Sequence, residues 1–174
     1  TTSGATLLEP GMVRAAGDGI TSLEQNRHSA EICTLIQKTG MTAEIVQDAD
    51  SIIWGKLVIN SAINPLTALL RIPNGQLLEN SSARQVMSAL AMETTSVAGA
   101  LGVHLPFADP IQFVEEAATK TATNYSSMLQ DIRRGAHTEI DAICGAITRL
   151  GNQHGRPVPH NWLMWQLVQA LENK

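Results

Sequence analysis

Apolar residues along most of this chain recur at the three- and four-residue spacing of amphipathic helices. Only the first 20 residues differ. Two short extended runs, 5–8 and 12–14, flank the turn sequence Glu9-Pro10-Gly11, and a glycine-rich turn follows at 17–19. The sequence therefore predicts a β-hairpin over residues 1–20 and a helical body over residues 21–174.

The first helix of the body is predicted from a start signal and a stop signal. Ser22 and Gln25 have the spacing of a capping box, and Gly40 is a typical residue after a helix end. These signals predict a helix near 22–39. Residues 42–46 are expected to form a short extended connection.

The second helix is predicted from about Ser51 to Asn64. Pro65 disfavours helical geometry in the residue before it and is expected to kink or restart the helix. The sequence Pro73-Asn74-Gly75 then predicts a turn. No apolar run is expected to reach the roughly 18 residues that a membrane span needs.

The later helices are predicted from the same kinds of signal. Ser81 or Ser82 is expected to cap a helix that ends at Gly102, and Asp109-Pro110 has the order of an N-cap followed by proline at the first helical position. The remaining helices are predicted from Ser127 to Gly135, from Thr138 to Gly155, and from His160 to about Glu172.

Composition supports one folded helical body and excludes several functions. The 174 residues are 44% apolar and 16% charged, as in ordinary globular proteins. The formal net charge of −4 offers no basic field for nucleic acid or for an anionic membrane surface. Cys33 and Cys144 lie within apolar helical patterns and are expected to be buried reduced thiols, and the five histidines show no spacing typical of a metal site.

A polar stripe interrupts the second predicted helix, which is otherwise apolar around most of its circumference. Lys56, Asn60 and Asn64 fall at i, i+4 and i+8 and therefore lie on one face. The stripe is either the one solvated face of the helix or the lining of a cavity for a polar small molecule. In a cavity the lysine could act as an acid toward a carbonyl oxygen.

Two further residues allow both a structural and a functional interpretation. Glu139 stands in the first turn of a predicted helix, where an acidic side chain interacts favourably with the helix dipole. Ser127 belongs to the pair Ser126-Ser127, which could simply be an N-cap. The spacing alone does not decide between these interpretations.

Two runs of residues resemble the signatures of the ketopantoate reductase family. The first is the run from Trp54 to Ala68, WGKLVINSAINPLTA. The second is YSSMLQD, from Tyr125 to Asp131, followed by TEID from Thr138 to Asp141. The resemblance covers essentially the whole chain, and the sequence Asn74-Gly75 agrees with it.

The resemblance implies a fold and a division into domains. It implies a 6-phosphogluconate-dehydrogenase-like helical C-terminal domain over residues 21–174, preceded by a β-hairpin, residues 1–20, that is the remnant of a Rossmann domain. In the family a Rossmann domain binds NADPH, and the helical domain closes over the substrate. The sequence has no Gly-x-Gly-x-x-Gly turn, and the chain alone is therefore expected to be inactive.

The resemblance also implies roles for single residues. Lys56 donates a proton to the ketone oxygen, and Glu139 orients that lysine and touches the cofactor. Asn60, Asn64 and Ser127 bind the substrate, with Asn74 as a weaker candidate. No metal site is implied.

The expected function is the NADPH-dependent reduction of 2-dehydropantoate to pantoate, in pantothenate and coenzyme A biosynthesis in the cytoplasm. The partners expected are the 2-keto acid, the chain's own Rossmann domain and a second copy of the chain. A paralogue that reduces another 2-keto acid is one alternative. A non-catalytic dimerisation module that uses the face with Trp162 and Trp165 is another.

Overall fold

The computed structural model describes residues 5–15 and 19–172. The chain divides into two compact units, Thr1–Asp50 and Ser51–Lys174. Within the described residues, all strands lie in the first unit, and the second consists of helices and loops. The expected class, mostly helical with a short β segment in front, is confirmed.

The hairpin predicted at the start of the chain is present. Strands β1 (Ala5–Glu9) and β2 (Met12–Ala15) pair antiparallel. The tight connection uses Gly11 at φ +85°, a conformation that favours glycine. The second turn signal falls partly on Gly17 and Asp18, which lie outside the described residues.

The helix predicted over 22–39 is wrong in its first part. Residues 20–24 form strand β3 (Ile20–Glu24), helix α1 is Ser29–Lys38, and β4 (Thr42–Val46) pairs parallel with β3. The Ser22 hydroxyl donates to Glu44 across the strands at 2.8 Å and does not cap a helix. The local capping pattern could not show this pairing, because the partner strand comes only after the helix.

The assignment of residues 1–20 to a separate domain stays a prediction. The structure groups the hairpin with the β3-α1-β4 segment in one compact unit that extends to Asp50.

The second unit is built around α2 (Ala49–Leu70). It is followed by α3 (Gln76–Glu79), α4 (Ser81–Ala100), α5 (Pro110–Lys120), α6 (Ser127–Arg133), a π-helical turn (Asp141–Gly145), α7 (Ala146–Gln153) and α8 (Pro159–Glu172). The core combines residues of α2 with residues of the later helices. Its largest fully buried side chains are Val58, Ile63, Leu77, Met87, Leu90, Val97, Val114, Met128, Leu129, Ile140, Ile147 and Val168.

Helix α2 does not end at Asn64, as the sequence suggested, but continues through Pro65 to Leu70. A proline inside a helix removes one hydrogen bond and costs about 3 kcal/mol. Residues 61–68 are all buried, and this packing outweighs the local penalty. The helix ends at Leu70, and the next residue, Arg71, has a φ of 59° in the left-handed region.

The length of α2 also corrects the expectation that no apolar segment could span a membrane. At 22 residues it is long and apolar enough by length and composition alone. However, 56% of its most apolar window is buried inside the protein, as is typical of the central helix of a folded core.

The helix ends show which of the predicted caps form. Asp109 caps α5 with Pro110 at the first helical position, as predicted. Asn80, not Ser81 or Ser82, caps α4 by accepting from two backbone N–H groups. The helix predicted from Thr138 begins with the π-helical turn, and the Thr138 hydroxyl accepts from the backbone N–H of Ile140 at 3.2 Å.

Candidate active site

The polar stripe on α2 runs from the surface into the core. Lys56 is exposed, Asn60 is half-buried, and Asn64 is only 7% exposed. The stripe is therefore not one uniformly solvated face of the helix. Its inner end lies among buried residues, where a polar group needs a hydrogen-bond partner.

The inner amides of this stripe lack such partners within the protein. Across residues 5–15 and 19–172, no side chain or backbone group hydrogen-bonds the side-chain amide of Asn60 or of Asn64. Neither amide is among the buried side-chain atoms that lack a partner, so each keeps some exposure at the protein surface. Two adjacent amides without protein partners, one of them buried, can offer donors and acceptors to a bound molecule.

Thr67 connects α2 to the start of α6. Its buried hydroxyl lies 3.0 Å from the carbonyl oxygen of Asn64 and donates to the Ser126 hydroxyl at 2.7 Å. Ser126 is 5% exposed and also accepts from the backbone N–H of Leu129 at 3.1 Å. The N-cap of α6 is therefore Ser126, and it is hydrogen-bonded to the α2 turn that contains Asn64.

Ser127 is freed from the capping role by this arrangement. It is the first residue of α6 and is exposed. Its neighbour Ser126 contacts Thr67, one turn beyond Asn64. The structure therefore brings the segment that carries Ser127 to the Asn64 end of the stripe.

Asn74 lies on the loop that follows α2 and is 8% exposed. Its Nδ2 donates to the Thr121 hydroxyl at 2.9 Å, and its backbone N–H donates to the Asn124 carbonyl at 3.0 Å. Its Oδ1 is buried without a partner among the described residues. Asn74 thus packs against the segment that leads to Ser126, and one of its two amide atoms remains unsatisfied.

Glu139 precedes the π-helical turn and is exposed. Its backbone carbonyl accepts from the N–H of Ile143 at 2.9 Å. No partner for its carboxylate is found in the part of the chain that the structure describes. The coupling of Lys56 and Glu139 stays a prediction, either within this domain or only after domain closure.

Sequence reasoning missed the residues that hold the site together. These are Thr67, Thr121, Gly75 and Ser126, the last through its contact with Thr67. Thr67 could have been noticed because it follows Asn64 by three positions and therefore lies near the same helix face. The others involve partners far away in sequence.

The described residues also bear on two other kinds of site, a metal site and a ligand cavity. Within 5–15 and 19–172, no group of His, Cys, Asp or Glu side chains is arranged to hold a metal ion. A shallow surface cavity of about 560 Å³ is lined by residues of α3, α4 and α5, including Arg84 and Glu115. None of the predicted site residues lines it. The cavity is an open surface groove, whereas the predicted polar groups are distributed over α2, α6 and two loops.

The fold and the stripe place the chain in the class of mostly helical domains with polar residues along a central helix. The family described as "Ketopantoate reductase PanE/ApbA C terminal" matches residues 48–172. The chain therefore belongs to the ketopantoate reductase family, as the resemblance in its sequence implied.

Individual relatives agree with this assignment. A 2-dehydropantoate 2-reductase of Archaeoglobus fulgidus is 38% identical over 178 residues, which cover 99% of this chain and 60% of the relative. A PanE/ApbA family ketopantoate reductase of Ralstonia eutropha JMP134 superimposes with a TM-score of 0.92 at 32% identity, covering 98% of this chain and 57% of the other. D-mandelate dehydrogenase in complex with NADH gives a TM-score of 0.90 at 26% identity, covering 98% and 61%. The chain spans about 60% of the length of the curated relatives it matches.

Proposed function

We propose that this chain is the substrate-binding domain of a reductase that converts 2-dehydropantoate to pantoate with NADPH. Family membership supports the reaction class, because relatives that are 34–38% identical over almost the whole chain are named 2-dehydropantoate 2-reductase. The observation that carries the proposal is the stripe on α2, where Asn64 is buried and its amide has no partner among the described residues.

The proposed reaction is the addition of a hydride to the ketone carbon and of a proton to the ketone oxygen. A reduced nicotinamide, when bound, supplies the hydride. The Lys56 ammonium supplies the proton, and its positive charge stabilises the negative charge that develops on the oxygen. The product is a secondary alcohol, and the lysine regains its proton from solvent.

The substrate carboxylate and hydroxyl require hydrogen-bond donors. Asn60 and Asn64 present amides along α2, and Ser127 presents a hydroxyl at the start of α6. We assign substrate binding to these three residues and, with a smaller contribution, to Asn74. We assign Glu139 to orienting Lys56 and to contacting the cofactor after closure.

We assign most of the binding of the nicotinamide cofactor to residues outside this sequence, with Glu139 as the one contact proposed within it. Within the sequence, no glycine-rich turn of the kind that binds a dinucleotide pyrophosphate is present. The chain by itself is therefore proposed to be inactive. NADPH, a role in pantothenate and coenzyme A biosynthesis, and a cytoplasmic location are the finer parts of the proposal.

A second candidate function is the reduction of another 2-keto acid. D-mandelate dehydrogenase, found with NADH, has nearly the same fold as this chain. The same backbone can therefore accompany a different substrate. Replacement of 2-dehydropantoate by 2-keto acids with an aromatic side chain in an activity assay distinguishes the two candidates.

A non-catalytic dimerisation module is less well supported. Trp162, Leu163 and Leu167 are exposed on α8 and could contact a second copy of the chain. Trp165 does not share this exposed position, because it is half-buried and lies beneath the Arg149 guanidinium at 5.5 Å. A dimerisation face on α8 would not require the unpartnered amides of α2.

The proposal is tested by Lys56→Ala in a reductase that joins this domain to its nucleotide-binding domain. We expect turnover to fall by about 10² or more, since general-acid catalysis and charge stabilisation each contribute on this order. Lys120→Ala is the matched control, because Lys120 is a well-exposed lysine on α5. Near-normal turnover of the Lys56 variant would remove this residue from the mechanism.

A further inference from the structure

A single buried hydroxyl lies between two of the proposed substrate-binding positions. Thr67 is fully buried, and its hydroxyl lies 3.0 Å from the carbonyl oxygens of both Ile63 and Asn64. The same hydroxyl donates to Ser126 at 2.7 Å. Asn64 and the residue that precedes Ser127 are therefore connected through one threonine.

Ser126 connects Thr67 to the first turn of α6. Its hydroxyl accepts from the backbone N–H of Leu129 in the first turn of the helix. Because Ser126 is only 5% exposed, water cannot readily replace either contact. The direction and position of the first turn of α6, and so of Ser127, depend on the Thr67 hydroxyl.

A second contact holds the same segment from its other end. The backbone N–H of Gly75 donates to the Ala122 carbonyl at 3.1 Å, and that of Asn74 donates to the Asn124 carbonyl at 3.0 Å. A Cβ atom at Gly75 would lie 2.6 Å from the Ala122 Cβ and 2.9 Å from its Cα. The approach is close enough that only glycine fits without a shift of the backbone.

We propose that Thr67, Ser126 and Gly75 are positioning residues that fix the segment 121–127 against α2, and thereby set the distance between Ser127, Asn74 and the Asn64 end of the stripe. The inference rests on the proposed function, because it assigns these three residues to the substrate site. None of them needs to touch the substrate. Their effect is on substrate affinity, since the donors that they place form one binding surface.

The chain contains a matched control for this hydroxyl contact. Thr94 of α4 lies 2.8 Å from Ser61 of α2, and its hydroxyl donates to the Leu90 carbonyl at 2.9 Å. Both residues are fully buried. This pair has the same chemistry and burial as Thr67 and Ser126, but it connects α2 to α4 and not to the segment that carries Ser127.

The kinetic test compares Thr67→Val, Thr67→Ser and Thr94→Val in the reductase that contains this domain. We expect Thr67→Val to raise KM for the keto acid roughly 10-fold with a smaller change in kcat, the scale of one lost hydrogen bond. Thr67→Ser restores the hydroxyl and should bring KM back to within about 2-fold. Thr94→Val should lower thermal stability to a similar extent and leave KM unchanged.

A second measurement does not depend on activity. Hydrogen–deuterium exchange of this chain should show faster exchange at the amides of Leu129 and Gln130 in Thr67→Val, but not in Thr94→Val. If the unsubstituted enzyme has no reductase activity, the proposed function is wrong, and the exchange data alone decide whether Thr67 positions α6.

The outcomes that overturn the inference are distinct. Equal increases in KM for Thr67→Val and Thr94→Val would show a general structural effect. Unchanged exchange at Leu129 and Gln130 would show that the contact does not hold the first turn of α6. A normal KM together with faster exchange would show that the position of this turn does not govern substrate binding.

Discussion

The two compact units differ in where they keep their apolar side chains. In the second unit, apolar residues of α2 and the later helices form one buried cluster. Among the residues of the first unit whose burial is described, 9–14 and 19–50, the buried apolar residues are Cys33 and Ala43. Its large apolar residues that remain exposed are Met12, Val13, Ile20, Ile32, Leu35, Met41 and Ile45. The comparison shows that an apolar sequence does not by itself provide a core.

Topology explains the difference. The first unit combines a two-stranded antiparallel hairpin with a two-stranded parallel sheet joined through α1. Parallel sheets are normally covered on both faces, and two-stranded sheets are marginally stable at best. The second unit places successive helices around α2 and can bury their apolar faces within itself. A parallel β-α-β segment is also the building block of nucleotide-binding folds, which agrees with the proposed function.

The largest expected effect is seen when the two units are produced separately. Residues 48–174 should fold, show a helical circular dichroism spectrum and melt in one cooperative transition, because they contain the complete buried cluster. Residues 1–47 should show no cooperative transition, because they bury too little apolar surface to offset the entropy of folding. A cooperative melt of residues 1–47 would contradict the comparison.

A smaller effect is expected from Glu93, which caps α8 from the neighbouring helix α4. One carboxylate oxygen accepts from the backbone N–H and from Nδ1 of His160, and the other accepts from the backbone N–H and Nδ2 of Asn161, at 2.6–2.9 Å. The Glu93 side chain is 11% exposed. Glu93→Ala should lower the free energy of unfolding of the second unit by about 2–3 kcal/mol, measured by denaturant titration.

Glu116→Ala is the control for that substitution. Glu116 is 51% exposed and lies 3.9 Å from Lys120, so its removal should cost less than about 0.5 kcal/mol. Similar losses for the two variants would mean that the Glu93 contacts contribute no more than a surface ion pair.

Local signals in the sequence predicted the helices of the second unit well. Asp109-Pro110 marks the start of α5, and Gly102 ends the segment after α4 with a φ of +75°. These features depend on residues within one turn of each other. Strand β3 has the local pattern of a helix start, and only its pairing with β4, on the other side of α1, shows that it is a strand. Pro65 locally favours a helix end, but the burial of α2 outweighs this local preference.

The same distinction applies to the candidate site. Helical spacing predicted that Lys56, Asn60 and Asn64 share a face, and the structure adds that burial increases along it. The resemblance to the family, and not spacing, singled out Ser127 and Glu139. The contact between Thr67 and Ser126 joins residues 59 positions apart, and no periodicity within a single helix encodes such a contact.

The smallest expected effect is on the pH dependence of the free energy of unfolding, and it is tested with the two cysteines, one in each unit. Burial, assisted by the nearby charge of Glu93, raises the pKa of the Cys144 thiol from 9.0 to about 12. Well below pH 9 the thiol is neutral in both the folded and the unfolded chain, and it has no effect on the pH dependence of stability. Above pH 9 only the unfolded chain releases the proton, so stability falls until the folded thiol also ionises near pH 12. Between pH 9 and 10 this should remove roughly 1 kcal/mol from the free energy of unfolding of the second unit. Cys144→Ala, although less stable at every pH because of the cavity that it leaves, should lose that part of the alkaline slope. Cys33→Ala, which changes α1 in the first unit, is the control and should leave the alkaline slope of the second unit unchanged. Equal slopes for Cys144→Ala and the unsubstituted chain would show that the core does not shield the Cys144 thiol.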